Sequence, residues 1–421
     1  MTEKLLQYIW QFQHFNQSEL TTTAGDRLEI IFPGKWNSDQ GPDFTDARIR
    51  VGQTLLAGSV ELHLKTSQWL DHGHQDDHNY ANVILHAVLE HNVNATPTIP
   101  VVELQPRISS ILVDHYSNLM HSASFVPCSC SIEKVIELTW TSWKERLVAE
   151  RLTRRSGYIS GLLKENNTHW EETFWWLLAR HFGIRNNTEA FEAMARSVSV
   201  KLLGKHKESI HHLEALLFGQ VGMLRGKFTE DYPRLLQREY QFLKKKYALH
   251  PIHIPVHFLR MRPQNFPTIR IAQLAALIHE GAHVFSDVLE ATDLQGLKKQ
   301  FRVQANDYWH YHYRFDELSA YKIKTVGNDM ADNLVINTII PMLFAYGLYH
   351  KEEKYRLRAI DWLEQLGAED NAITSGFGEL GVENRTAFDS QALLELKTQY
   401  CDQKHCLRCA VGNAILKGSE D

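Results

Sequence analysis

Gly41-Pro42-Asp43-Phe44-Thr45-Asp46-Ala47-Arg48-Ile49-Arg50-Val51, Gly52-Gln53 and Thr54-Leu55-Leu56-Ala57-Gly58-Ser59-Val60-Glu61-Leu62-His63-Leu64-Lys65 follow one another without a break. Phe44–Val51 and Thr54–Lys65 read as strands, and Gly52-Gln53 reads as the hairpin turn between them. Alternate residues of a strand share a face. Glu61, His63 and Lys65 therefore point one way, and Val60, Leu62 and Leu64 the other. An antiparallel hairpin sets Asp43, at the mouth of the first strand, beside Glu61.

On the N-terminal side, apolar residues at helical spacing (Leu5, Ile9, Trp10, Phe12) predict a helix over 4–15. Arg27–Phe32 alternates and ends at Pro33-Gly34, a strand and turn. On the other side lies the imidazole-rich stretch Trp69-Leu70-Asp71-His72-Gly73-His74-Gln75-Asp76-Asp77-His78. Asn82–His91 follows as a nearly continuous apolar strand, the pattern of a central strand buried on both faces. Pro100–Leu104 adds a fifth.

From about residue 130 the pattern turns helical. Trp140–Leu152, Trp170–Phe182, Glu189–Leu203, His211–Leu224, Ile271–Ile278, Asp332–Tyr346, Tyr355–Leu366 and Asp389–Tyr400 carry three- and four-residue apolar spacing. Ser375–Glu379, rich in glycine, reads as loop. The fold class is α+β: a mixed-sheet α/β domain over 1–120, then a mostly helical domain over 121–421.

The 421 residues allow two to three domains, and 43% hydrophobic with 23% charged residues describes an ordinary globular chain. No apolar run approaches the roughly 18 to 20 residues of a membrane span, and the first residues lack a signal-peptide pattern. The expected location is cytoplasmic, with no membrane partner. A net charge of −5 makes no global case for nucleic acid. The first 120 residues hold 14 acidic and 7 basic side chains, which leaves the remainder slightly positive.

Asp43 and Glu61 are hard oxygen ligands suited to Mg²⁺ or Mn²⁺. Such an ion activates water and stabilises charge building on a phosphate. His63 and Lys65 are placed to handle the water or the phosphate, with His72 and His74 assisting and Asp76, Asp77 and His78 bordering them. Cys401-x4-Cys406-x2-Cys409 has the spacing of a zinc or iron–sulfur clasp. Its fourth ligand is Cys128 or Cys130, the latter taken as the working choice, with His405 as another option. Arg260, Arg262, Asn265 and Arg270 lead into a helix start, a seat for phosphate. Trp309–Tyr313 offers stacking faces for bases.

Pro42-Asp43, then Glu61 on the next strand with basic residues two and four further on, resembles the PD-(D/E)XK nuclease superfamily. Its core of helix, three meandering strands, helix and strand also matches the reading of residues 4–91 in part. The superfamily places lysine two residues after its acidic residue; here that position is His63, and Lys65 lies two beyond. The following imidazoles are similar to those of very-short-patch repair endonucleases. His72-x-His74-x-Asp76 also resembles the zinc-binding element of the metallo-β-lactamases, from which Asp77 departs.

Gly41-Pro-Asp-Phe44, Gly58-x-Val-Glu-x-His63, Trp69-x-x-His-x-His74, Val83-Ile-Leu-His86, Arg262-Pro-x-Asn-Phe-Pro267, Ala331-Asp-Asn333 and the closing cysteines together resemble a bacterial family known as domain of unknown function 2851. That resemblance implies a shared fold and no activity. The residues themselves lead to an expected metal-dependent nuclease acting on phosphodiester bonds, with nucleic acid as partner. The alternative is a non-catalytic nucleic-acid-binding or scaffold protein with a degenerate nuclease-like domain.

Overall fold

The computed structural model describes residues 1–37, 39–93, 99–281 and 284–418. The chain divides into two compact units. One comprises Met1–Trp143, Ser375–Val382 and Leu394–Asp421; the other comprises Lys144–Thr374 and Glu383–Leu393. The sequence reading assigns 121–421 to a helical domain. The structure instead returns the cysteine-bearing tail to the first unit, because Cys406 and Leu416 are buried in its apolar core.

Helix α1 (Glu3–Gln11) opens the first unit. The Thr2 hydroxyl accepts from the Leu5 N–H at 3.3 Å, and Glu3 sits in the first turn, where the helix dipole favours a negative charge. The helix buries Leu5, Leu6, Ile9 and Trp10 but stops before the expected residue 15, since Gln13 adopts φ 55° and Phe12 is exposed.

Next come β1 (Leu28–Phe32), β2 (Lys35–Trp36), β3 (Phe44–Val51), β4 (Thr54–Lys65), the single turn α2 (Gln68–Asp71), β5 (Val83–Glu90) and β6 (Val101–Glu103). The sheet order is β1-β3-β4-β5-β6, with β2 paired to β3. β1–β3 and β3–β4 are antiparallel, and β4–β5 and β5–β6 are parallel. The sheet is therefore mixed. Phe44, Ile49, Val60, Leu62, Leu85 and Ala87 join the α1 side chains in one core. Each large side chain buried there contributes about 2 kcal/mol.

Two local features position the residues of interest. At the hairpin, Val51 pairs with Thr54 across Gly52-Gln53, and Gly52 takes φ 58°, which only glycine adopts freely. Between Phe44 and Ala47 the β3–β4 register slips by one, with Asp46 at φ 60°. Ala47 faces Gly58, yet Phe44 faces Val60. A one-residue slip exchanges the two faces of a strand. Continued one step past Phe44, the shifted pairing sets Asp43 across from Glu61. Gly58 lets β5 begin close by, for a Cβ there would lie 2.4 Å from the Asn82 carbonyl oxygen.

The second unit is mostly helical. After α3 (Ser110–His121), the chain enters it within α4 (Glu137–Glu165). It continues through α5 (Trp170–Phe182), α6 (Ile184–Ser197), α7 (Val200–His206), α8 (Ile210–Gln220), α9 (Asp231–Tyr247) and α10 (Pro267–Glu280). The single helix expected over 189–203 is broken, because Ser199 caps a new start by accepting from the Leu202 N–H. Asn328–His350 is long and apolar enough to cross a membrane by length and composition, but most of it is buried inside this unit. It reads as a core helix.

Candidate metal centre

Asp43 and Glu61 are joined through the backbone. The Asp43 N–H donates to Glu61 Oε2 at 3.0 Å, and the Leu62 N–H donates to Asp43 Oδ2 at 3.0 Å. Asp43 Oδ1 accepts from the Gln7 amide of α1 at 2.7 Å. Both Asp43 oxygens thus have protein donors, while Glu61 Oε1 faces the histidines. It lies 3.4 Å from His74 Nε2 and 3.6 Å from His63 Nε2. Burial pushes the Glu61 carboxyl up to about 9, helped by the charge of Asp43. Burial likewise pushes Asp43 up to about 7, against the pull of the Leu62 N–H.

His63 is 1% exposed. Its Nδ1 lies 2.9 Å from His86 Nε2, and its Nε2 lies 3.1 Å from His72 Nδ1. Burial, followed by His86, His74 and His72, lowers its pKa to about 3, so the ring is neutral at pH 7. His72 ends α2, and Gly73 at φ 71° turns the chain so that His74 returns to the same point. One ring nitrogen from each of His63, His72 and His74 falls within 4.8 Å of the others. Tyr80 stacks on His74 at 3.8 Å, and the buried Trp69 packs edge-on against both rings. His72 is exposed, which leaves one side of the cluster open to solvent.

Among the expected residues, Asp43, Glu61, His63, His72 and His74 come together. Lys65 does not: it is exposed, its ammonium lies 4.0 Å from Glu90, and no hydrogen bond or ion pair among the described residues joins it to Asp43 or Glu61. Two strand steps past Glu61 carry it beyond the pocket. Asp77 caps the turn at Asn79 instead of joining the cluster. Two partners escaped the sequence reading. Gln7 lies on the opening helix, and His86 is brought opposite Glu61 by the parallel β4–β5 register. The signal for His86 was a lone imidazole at the middle of an apolar strand.

The cysteines gather elsewhere in this unit. Cys406 and Cys409 are buried, Cys128 and Cys401 half-buried and Cys130 exposed. Burial raises the Cys401 thiol, and the thiols of Cys409, Cys128 and Cys406 raise it further. Cys128 is raised to about 12 by burial and then by Cys409 and Cys406. Of the two alternatives, Cys128 packs against the core that holds Cys406, and Cys130 is exposed. The Gly412 and Val411 N–H groups donate to the Cys409 sulfur. No three cysteine sulfurs among the described residues lie within 4.8 Å of one another.

Within Trp309–Tyr313 only part of the aromatic surface is accessible: Tyr311 is exposed. Trp309 is fully buried against Phe218 and donates to Glu214, and His310 and His312 are buried with it.

The first unit is therefore a mixed-sheet α/β fold bearing a histidine–carboxylate cluster. The chain belongs to the family described as protein of unknown function (DUF2851), whose model matches residues 3–372. No curated protein matches the chain, and no solved structure matches it.

Proposed function

We propose that the first unit is a divalent-metal-dependent hydrolase of phosphodiester bonds, with nucleic acid as the substrate class. One observation carries the reading: Glu61 Oε1 lies 3.4 and 3.6 Å from the nitrogens of His74 and His63, within a triad of converging imidazoles. The donor set fits an ion. His74 Nε2 is buried and has no hydrogen-bond partner among the described residues. A buried polar nitrogen without a partner is costly, and a cation would relieve it. Three imidazoles with one carboxylate favour Mn²⁺ or Zn²⁺ over Mg²⁺. When bound, such an ion supplies a Lewis acid for a phosphoryl oxygen and lowers the pKa of bound water.

The protein does the rest. His63, His72 and His74 would hold the ion, with Glu61 Oε1 beside two of them. The Asp43 N–H fixes Glu61 in place, and the Leu62 N–H and the Gln7 amide fix Asp43. His86 accepts from His63 Nδ1–H, which turns the Nε2 lone pair toward the centre. The exposed edge at His72 is where a phosphate would enter. The order of α1, antiparallel β1, β3 and β4, then α2 and parallel β5 supports the nuclease resemblance.

Hydrolysis of bis(p-nitrophenyl) phosphate and of oligonucleotides with added Mn²⁺, Zn²⁺ or Mg²⁺ tests the reading. Turnover by the wild type that is lost in Glu61→Gln is expected. Turnover unchanged in that variant, or absent with every ion, overturns it. The alternative of a non-catalytic nucleic-acid-binding or scaffold protein draws on Lys65, which stands apart from the carboxylates. Oligonucleotide binding without cleavage would favour it.

The thiols support a separate, structural role for a metal held by Cys128, Cys401, Cys406 and Cys409. Four thiolates suit either a zinc ion or an iron–sulfur cluster.

A further inference from the structure

The second unit contains a cavity of about 840 Å³ to which the hydrolytic reading gives no role. Two sequence strings far apart in the chain meet at its wall: the Arg262–Pro267 turn that opens α10, and Asn333 in the core helix. Arg260, Arg262, Arg270, Lys322 and Lys324 line it, against a single carboxylate, Asp329. Among the described residues none of these five cations is ion-paired to Asp329.

Two of the cations are buried. Arg270 is 8% exposed. It donates from Nη1 to Gln273 Oε1 at 3.0 Å and from Nη2 to Asn265 Oδ1 at 2.7 Å, both neutral amides. Its Nε has no partner among the described residues. Lys324 is 5% exposed, donates to the His310 carbonyl at 2.9 Å and lies 4.2 Å from the centre of the Tyr313 ring. A buried cation without a counter-charge is destabilising, and here two of them line one chamber. Amides that grip a guanidinium hold it in a fixed orientation, and a preorganised fork matches phosphate oxygens. The volume is that of a pocket for a molecule of nucleotide size.

We propose that this cavity binds a phosphate monoester of about nucleotide size, with the phosphate seated on Arg270 and Lys324 and reached past Arg262 at the mouth. A free nucleotide and the 5′-phosphate end of a nucleic-acid strand present the same chemistry. The site stands independently of the histidine cluster.

Calorimetric titration of the full chain with adenosine 5′-monophosphate, adenosine, and a short oligonucleotide with and without its 5′-phosphate tests this. Binding of the phosphorylated probes, displaced by inorganic phosphate and absent for adenosine, is expected. Arg262 is exposed, so Arg262→Gln folds normally and weakens binding about tenfold, the loss of one charged hydrogen bond. Arg270→Gln, checked for folding by circular dichroism, abolishes it. If only the nucleotide binds, the ligand is a free nucleotide; if the oligonucleotide binds only when phosphorylated, it is a strand end. No binding by either phosphorylated probe, adenosine binding as tightly as its monophosphate, or affinity unchanged in Arg262→Gln overturns the proposal.

Discussion

Asp43 and Glu61 clasp each other across the β3–β4 pair, with the Asp43 N–H donating to Glu61 Oε2 and Asp43 Oδ2 accepting from the Leu62 N–H, both at 3.0 Å. The clasp exists because the slip at Asp46 turns both carboxylates to one face. Forced together away from water, Glu61 keeps its carboxyl proton at pH 7 and Asp43 is about half protonated there, whereas His63 is a neutral imidazole.

A cation entering the site must therefore displace the Glu61 carboxyl proton but no proton from a cationic His63. Glu61 is raised to about 9, so it stays protonated below that pH and competes with the ion. Affinity for Mn²⁺ or Zn²⁺ should rise with pH by about tenfold per unit for each proton released, and level off above 9. Titration calorimetry in buffers of different ionisation enthalpy measures the release. Binding with no proton release would contradict the assignment. Glu61→Gln mimics the protonated acid and should keep the metal-free stability within about 1 kcal/mol while losing the metal-induced rise in Tm.

Among the described residues His86 is hydrogen-bonded to the centre through His63, with 2.9 Å between Nε2 and Nδ1. As a positioning residue it should be worth about 10- to 100-fold in metal affinity when replaced by alanine. His86→Gln keeps an acceptor there and should recover part of the loss. Equal losses in both variants would mean that the ring matters for packing alone, since Trp69 lies against it.

Much of this centre was legible in the sequence. The bounds Phe44–Val51 and Thr54–Lys65 follow from alternation and from the Gly52 turn, and they place Glu61 and His63 on one face. The same rule also put Lys65 there. Alternation fixes the face and says nothing of the distance along it. His86 needed the parallel register, which is set by the connection through α2 and not by β5 itself. Ser375–Glu379, expected as loop, lies mostly in a helix (Ala372–Gly378) because Phe125 packs where a Gly376 Cβ would be, 2.6 Å from its ring. A tertiary contact there overrides the low helix propensity of glycine.

Cysteine placement makes a further prediction. Protein purified without oxygen should contain either zinc, or iron and sulfide with broad visible absorbance. Serine at Cys128, Cys401, Cys406 or Cys409 should remove the metal and lower Tm, whereas Cys130→Ser should leave both unchanged, since its side chain is exposed. Metal-free wild-type protein would reject the site.

Glu214 supplies a pH signature in the second unit. It is fully buried on α8 and accepts from the Tyr232 hydroxyl at 2.7 Å and from the Trp309 indole at 3.1 Å. Burial pushes its carboxyl up from 4.5 to about 7, against the pull of those two donors. Below about 4.5 the group is protonated both folded and unfolded, and its contribution is fully present. Between 4.5 and 7 the folded state binds the extra proton, so stability falls as pH rises, by on the order of 3 kcal/mol in all. His181, lowered to about 3 by burial, pulls the other way below its ordinary value. The test is therefore the difference between wild type and Glu214→Gln in urea denaturation from pH 5 to 8. Wild-type stability relative to the variant should fall up to pH 7 and stay level above it; a level difference throughout would show that Glu214 is already ionised at pH 5.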